Sequence, residues 1–281
     1  MNILFVHERY GALGGAEANI LVTARELGGR GHRVGILHGP GTGLQEAQWD
    51  EVFDWACPHV DADPASVVAL AVGEFRADVV YVHKTSDLGL LEALLGSGVS
   101  TVRMVHDHDL YCMRSYRYDY VTRTPCTRAA GKACIFPCLA SVTRHRGGGL
   151  PIQWNRLADK QREIALNRRF DRLLVASRHM EEQLLLNGFS GSQIEIHAPV
   201  PRMVAVDSEN TYSDRNLVLY TGQIIRGKGV DMLLRALARV EVPFECIILG
   251  DGNHRARCEQ LARRLGLADR VRFPGFVPQE D

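Results

Sequence analysis

The sequence has no apolar run approaching the ~18–20 residues that span a bilayer. Its opening, Met1-Asn2-Ile3-Leu4-Phe5-Val6, lacks the basic region and small-residue cleavage site of a secretory signal. Neither sign of charge is in excess: Lys+Arg and Asp+Glu are both 33, a balance that argues against general nucleic-acid binding. Seven cysteines, an odd number without an export signal, argue against a disulfide-stapled scaffold and for reduced thiols. The location expected from these absences is the cytoplasm, or the periphery of the inner membrane face. The glycines after the first apolar run, Gly11-Ala12-Leu13-Gly14-Gly15-Ala16, do not form GxGxxG. A nicotinamide oxidoreductase requires that spacing, with an acidic residue about 20 positions on, and is set aside.

What is present describes a globular chain. Its 281 residues, at roughly 150 per domain, predict about two domains. The apolar content of 46% and charged content of 23% exclude disorder and collagen. Charge is unevenly spread, however: residues 1–100 hold 6 basic and 13 acidic side chains, and residues 101–172 hold 14 and 6. A basic stretch in a neutral protein suits either a solvated helix or a local anionic partner such as a phosphate, a pyrophosphate-linked lipid or a membrane surface.

Short apolar runs alternate with helical periodicity. Strands are expected at Asn2–His7, Arg33–Leu37, Asp78–Val82, Ser100–Val105, Arg172–Ala176 and Gln193–His197. Helices are expected at Ala16–Leu27, Ser66–Phe75, Leu88–Leu95, about Ile152–Phe170, and Arg178–Leu186. Pro199, Pro201 and the polar run Asp207–Arg215 read as a linker. Beyond it come strand Asn216–Tyr220, helix Gly229–Val240, strand Phe244–Leu249, helix Arg255–Leu265 and strand Arg270–Phe273. The expected fold class is therefore α/β, two doubly wound Rossmann-like domains with parallel sheets. Their expected bounds are 1–205, with an insertion at about 107–150, and 206–281, where the three strands suggest an incomplete domain.

Two glycine turns carry the candidate chemistry. Gly14-Gly15-Ala16-Glu17 opens a helix after the first strand, where backbone can approach a ligand and unpaired N–H groups face an anion. The second, Gly222-Gln223-Ile224-Ile225-Arg226-Gly227-Lys228-Gly229, adds two cations that suit a diphosphate. Gly229 stands where a Walker A loop needs Ser or Thr, so ATPase chemistry is not expected. His106, in the polar run His106-Asp107-His108-Asp109, lies at the carboxyl end of a strand, where such sheets bind ligands, and His83 is a weaker candidate of the same kind.

With Gly14-Gly15-Ala16-Glu17, Val105-His106-Asp107, Gly222-Gln223 through Lys228-Gly229, Leu249-Gly250-Asp251-Gly252, and Val271-Arg272-Phe273-Pro274-Gly275-Phe276, the chain resembles the family 4 retaining glycosyltransferases. No single motif is specific, but the five occur in order along nearly the whole chain. The resemblance implies a GT-B fold and transfer of a hexose, with retention, from a UDP- or GDP-linked sugar to a glycan or lipid-linked acceptor, with no cofactor or metal required. It implies that His106 lies near the transferred sugar as the catalytic residue. It assigns Gly15, Gly222, Gln223, Arg226, Lys228, Gly250 and Gly252 to the donor, and Gly14, Glu17 and Asp107 to the acceptor. Gln223 replaces the family's usual arginine, with Arg226 as the nearby substitute cation. The family's two sugar-gripping glutamates follow beyond Gln279-Glu280-Asp281, so the sequence reads as a truncated transferase, and a binding protein without turnover is the alternative.

Cys112, Cys126, Cys134 and Cys138 are spaced C-x13-C-x7-C-x3-C inside the insertion. Free or packed thiols are the favoured reading because paired CxxC knuckles are missing, and structural zinc is the alternative. Leu150, Pro151, Ile152 and Trp154, followed by Arg156, Lys160, Arg162, Arg168 and Arg169, suit peripheral contact with an anionic membrane, or a domain helix with one basic face.

Overall fold

The computed structural model describes residues 1–12, 14–119, 122, 124–144, 152–198 and 216–277. The chain forms two compact units, Met1–Met203 and Val204–Asp281. In the first unit the order is β1 (Asn2–His7), α1 (Gly15–Gly29), β2 (Arg33–His38), α2 (Glu46–Asp50), β3 (Trp55–Pro58), α3 (Pro64–Phe75), β4 (Val79–Lys84), α4 (Leu88–Gly96) and β5 (Ser100–Val105). Then follow α5 (Lys132–Ile135), β6 (Val142–Arg144), β7 (Ile152–Trp154), α6 (Leu157–Asn167), β8 (Arg172–Val175), α7 (Arg178–Leu186) and β9 (Ile194–Ile196).

Seven of these strands form one parallel sheet in the order β3-β2-β1-β4-β5-β8-β9. The two-residue period of β1 explains why the sheet is covered on both faces. Leu4 and Val6 pack with Val68 and Ala71 of α3 and Leu91 of α4. Ile3 and Phe5 point the other way, into a cluster with Ile20, Leu21 and Ala24 of α1 and Trp49 of α2. Each large side chain fully buried in this way contributes about 1.5–3 kcal/mol. Side-chain caps set the helix starts: Asp63 accepts from the Ser66 amide at 2.9 Å and Asp87 from the Leu90 amide at 3.0 Å.

The helix expected from Ile152 begins only at Leu157. Ile152–Trp154 instead pairs antiparallel with Val142–Arg144, so hydrogen bonds to a partner strand override the local helical pattern. The short elements α2, β3, α5 and β6 were not expected from the sequence. β3 owes its four residues to pairing with Gly35–His38 rather than to any strong apolar run of its own. The expected linker at Asp207–Arg215, and Leu150 and Pro151, lie outside the described residues.

The second unit contains β10 (Leu217–Thr221), α8 (Val230–Leu237), β11 (Glu245–Leu249), α9 (Arg255–Arg264) and β12 (Val271–Gly275). Its parallel sheet runs β10-β11-β12. Ile248 of β11, Leu234 and Leu237 of α8, and Cys258 and Ala262 of α9 form its core with Ile224. These residues sit at the spacing that puts one apolar stripe of each helix onto the sheet.

Candidate functional site

In the first unit the strand order reverses between β1 and β4, the switch point at which an open parallel sheet offers a crevice at its carboxyl ends. His7 closes β1 and is in register with Lys84, which closes β4 beside His83. His106 follows directly after β5. His7 lies on the same face as Phe5 and meets the first turn of α1, its Nε2 3.2 Å from Glu17 Oε1. Phe5 stacks on His83, and His83 Nδ1 lies 2.9 Å from His106 Nε2. The structure thus gathers Glu17, His7, His83 and His106. A Cβ on Gly14 would lie 3.6 Å from Glu17 Oε2, whereas one on Gly15 would meet nothing within 4 Å among the described residues.

In this crevice one lysine faces three carboxylates. Lys84 Nζ donates to Asp107 at 3.2 Å and to Asp109 at 2.7 Å, with Glu8 at 4.0 Å. Burial alone would lower the Lys84 pKa, but the hydrogen bond and charge of Asp109, then Asp107 and Glu8, raise it above the ordinary lysine value. Asp107 is also held by its neighbour, accepting from the Asp109 amide at 2.8 Å. Burial would raise Glu17; the His7 hydrogen bond and the amides of Glu17 and Gly14 outweigh it and lower the carboxyl. His106 is lowered to about 4, chiefly by burial and then by His7, against the opposing pull of Asp107 and Glu17. Burial, followed by His106 and His7, holds His83 well below the usual histidine range. At pH 7 both rings are neutral: they can accept or donate hydrogen bonds without carrying charge.

The second unit is built differently. Gly222 and Gly250 have φ of +144° and +125°, conformations open to glycine alone at low cost. A Cβ on Gly250 would lie 2.0 Å from the Gly222 carbonyl oxygen, and one on Gly252 would lie 2.4 Å from that of Ile224. Gly250 and Gly252 therefore let two loops pack backbone to backbone, an arrangement locked by Gly222 N–H to Leu249 O at 3.0 Å and Ile224 N–H to Asp251 O at 2.8 Å. Above this platform a single 3-10 turn, Arg226–Lys228, leads through Gly229 into α8. Gln223, Arg226 and Lys228 are exposed, and the side chains of Arg226 and Lys228 have no partner among the described residues. Gly229, which caps α8, has no side chain to engage the helix's first N–H groups.

Cys112, Cys126, Cys134 and Cys138 line one small cavity with Arg117 and Tyr118. All four are free thiols, and among the described residues no three His, Cys, Asp or Glu side chains stand together where they could hold a metal ion. Several cations proposed for a membrane are engaged within the protein: Lys160 with Glu163 and the Asp109 carbonyl, Arg162 with Glu92, and Arg168 with the Asn187 carbonyl. Trp154 is 75% exposed, opposite Val142 in the short hairpin. Among the described residues no helix is long and apolar enough to cross a membrane. Sequence reasoning missed His7 and Lys84, and the signal available was their place at the carboxyl ends of the first two strands flanking the switch point.

Residues 13–199 match the family described as Glycosyltransferase Family 4, and residues 204–281 match Glycosyl transferases group 1. Over 78 residues the chain is 38% identical to the lipopolysaccharide core biosynthesis glycosyltransferase LpsD of Rhizobium meliloti (strain 1021), covering 28% of this chain and 22% of that protein. It is 40% identical over 70 residues to the alpha-D-kanosaminyltransferase of Streptomyces kanamyceticus, covering 24% of this chain and 18% of that one. Among solved structures, the apo lipopolysaccharide outer core galactosyltransferase WaaB superposes with a TM-score of 0.61 at 16% identity, covering 100% of this chain and 69% of that one. Anabaena Alr3699/HepE in complex with UDP gives 0.62 at 16% identity, covering 99% of this chain and 70% of that one. These likenesses show the fold, GT-B in type, with two Rossmann-like domains. Since the first match extends over more than half of the sequence, the chain belongs to Glycosyltransferase Family 4.

Proposed function

We propose that this chain carries the machinery of a retaining hexosyltransferase that uses a UDP- or GDP-linked sugar and a glycan or lipid-linked acceptor. The observation that carries the reading is the pair of exposed cations, Arg226 and Lys228, without a partner among the described residues, at the glycine-cornered entrance to α8 of a family 4 chain. Departure of a nucleoside diphosphate builds negative charge on its phosphate oxygens. Fixed cations and helix-start N–H groups stabilise that charge more as it develops than before. Lys228 holds the diphosphate in this reading, and Arg226 supplies the cation that Gln223 does not. Gly222, Gly250 and Gly252 shape the loop beneath it.

Residues 206–281 are the donor side, and residues 1–205 the acceptor side. His106 contacts hydroxyls of the transferred sugar as a neutral group, Gly15 admits the donor phosphate, and Gly14, Glu17 and Asp107 form the acceptor edge. The bond from the anomeric carbon to the diphosphate breaks while the acceptor oxygen bonds to the same face. The acceptor proton leaves with the diphosphate. The names of LpsD and WaaB support a lipopolysaccharide-type acceptor, and the UDP complex of HepE supports a UDP-linked donor. Such a donor puts the reaction in the cytoplasm, at the inner membrane face when the acceptor is lipid-linked.

The test is calorimetric titration with UDP and GDP, then transfer from UDP-glucose, UDP-galactose and their GDP counterparts to lipopolysaccharide core fragments. Binding of one nucleotide that weakens roughly 10- to 100-fold in Lys228→Ala, the worth of a charge-assisted hydrogen bond, supports the reading. Unchanged nucleotide affinity in that variant overturns the donor assignment.

A further inference from the structure

His83 lies at the end of β4, only 2% exposed, its ring 5.3 Å from Phe5 and nearly parallel to it. Tyr81 packs against it at 4.3 Å. Nδ1 is 2.9 Å from His106 Nε2, while the other nitrogen, Nε2, is buried and has no hydrogen-bond partner among the described residues. Two nitrogens at that separation share one proton when both rings are neutral, so one histidine donates and the other accepts. If His106 donated from Nε2, the proton of His83 would sit on its own Nε2. A buried N–H without an acceptor costs about 1–3 kcal/mol and is the rarer defect in folded proteins. If His83 donates from Nδ1, its Nε2 is a bare lone pair and no N–H is stranded. The remaining proton of His106 then sits on Nδ1.

We propose that His83 is a positioning residue: it donates Nδ1–H to His106 Nε2 and fixes His106 as its Nδ1–H tautomer. His106 then has one proton to offer a ligand, from a nitrogen whose identity is set before any ligand arrives. The charged and titratable groups facing His106 are His7 and Glu17 from β1 and α1, Lys84 from β4, and Asp107 beside it. None of them makes a hydrogen bond to the His106 ring, so among the described residues it is His83 that sets the tautomer. The effect on catalysis rests on the reading of His106 as a contact to the donor sugar; the tautomer itself does not.

The test is long-range proton–nitrogen correlation on the full chain with nitrogen-15 histidine at pH 7. The expected pattern is a protonated Nδ1 and an unprotonated Nε2 at His106, and the same at His83. Protonation of His106 on Nε2 overturns the proposal. In His83→Asn the side-chain amide stands where Nδ1 stood and can still donate, so the His106 tautomer is kept. In His83→Leu that donor is gone and the proton redistributes toward Nε2. For sugar transfer, His83→Leu is expected to lower kcat roughly tenfold with little change in donor KM, and His83→Asn to restore most of it. Equal losses in both variants, with the tautomer unchanged in both, make His83 a packing residue only. If the wild-type chain transfers no sugar under any condition, the functional reading fails while the nitrogen spectrum still decides the tautomer.

Discussion

The two units meet the demands of charge in opposite ways. At the switch point of the first, Lys84 is engaged by Asp107 and Asp109, Glu17 is hydrogen-bonded to His7, and His83 and His106 are neutral at pH 7. At the entrance to α8 in the second, Arg226 and Lys228 are exposed and have no partner among the described residues. A crevice whose lysine is tied to several carboxylates disfavours an anion and suits recognition of uncharged hydroxyls. An unmatched pair of cations suits a multiply charged anion and costs little while exposed, because water solvates it. Glycine serves the two sites differently as well: Gly15 opens onto space, whereas Gly250 is pressed against backbone.

That last contrast gives the largest expected effect. Gly250→Ala drives a methyl to 2.0 Å from the Gly222 carbonyl at a φ of +125°, and should destabilise the second unit by about 3 kcal/mol or more. Gly15→Ala adds a methyl where nothing lies within 4 Å at the start of a helix, and should move stability by less than about 1 kcal/mol. Urea unfolding followed by limited proteolysis, which reports each unit, checks both. Comparable losses from the two substitutions would erase the contrast.

Next in size is the dependence on pH. An unfolded histidine takes up a proton near pH ~6.5, and His106 folded does so only at about 4. Between those values the unfolded chain binds more protons, so this contribution to stability is complete above pH ~6.5 and is lost as pH falls toward 4. His83, shifted the same way, adds to the loss. Glu17, whose carboxyl is lowered, contributes stability that is present above its ordinary value and lost as pH falls through the folded one. Melting temperatures from pH 7 to 4 should fall, and His106→Gln should flatten the upper part of that fall. An unchanged slope in the variant would remove His106 from the account.

The smallest expected effect separates the two cations. Arg226→Ala should weaken nucleotide diphosphate binding by roughly 3- to 10-fold, less than Lys228→Ala, and raising the salt concentration should shrink both differences. Equal losses would give Arg226 the full part of the arginine that Gln223 replaces.

Most of the sheet was legible because its strands carry their own apolar runs. The strands Asn2–His7 and Ser100–Val105, and the helix Arg178–Leu186, stand where periodicity put them. Elements held by a partner were not: Trp55–Pro58 has little apolar signal and exists through its pairing with β2, and Ile152–Trp154 was drawn from an apparent helix into a hairpin. The same division runs through the sites. The glycine turns, Lys228 and His106 are visible as motifs, since their chemistry depends on neighbours in sequence. His83 is visible only as a weaker candidate, and His7 and Lys84 not at all; they gain significance from residues far along the chain, which the strand order brings together.

β5 pairs directly with β8, yet the chain travels from Val105 to Arg172 between them. Closing a longer excursion costs only about 0.6 kcal/mol for each doubling of its length. Descendants of this protein can therefore lengthen or shorten the part of that excursion outside Leu110, Tyr111 and α6, whose side chains belong to the core, while the neighbouring strands keep their register. Such a splice is a place where loop length and sequence can drift through insertions and deletions, at a pace set by selection on the loop and not by the tolerance of the sheet.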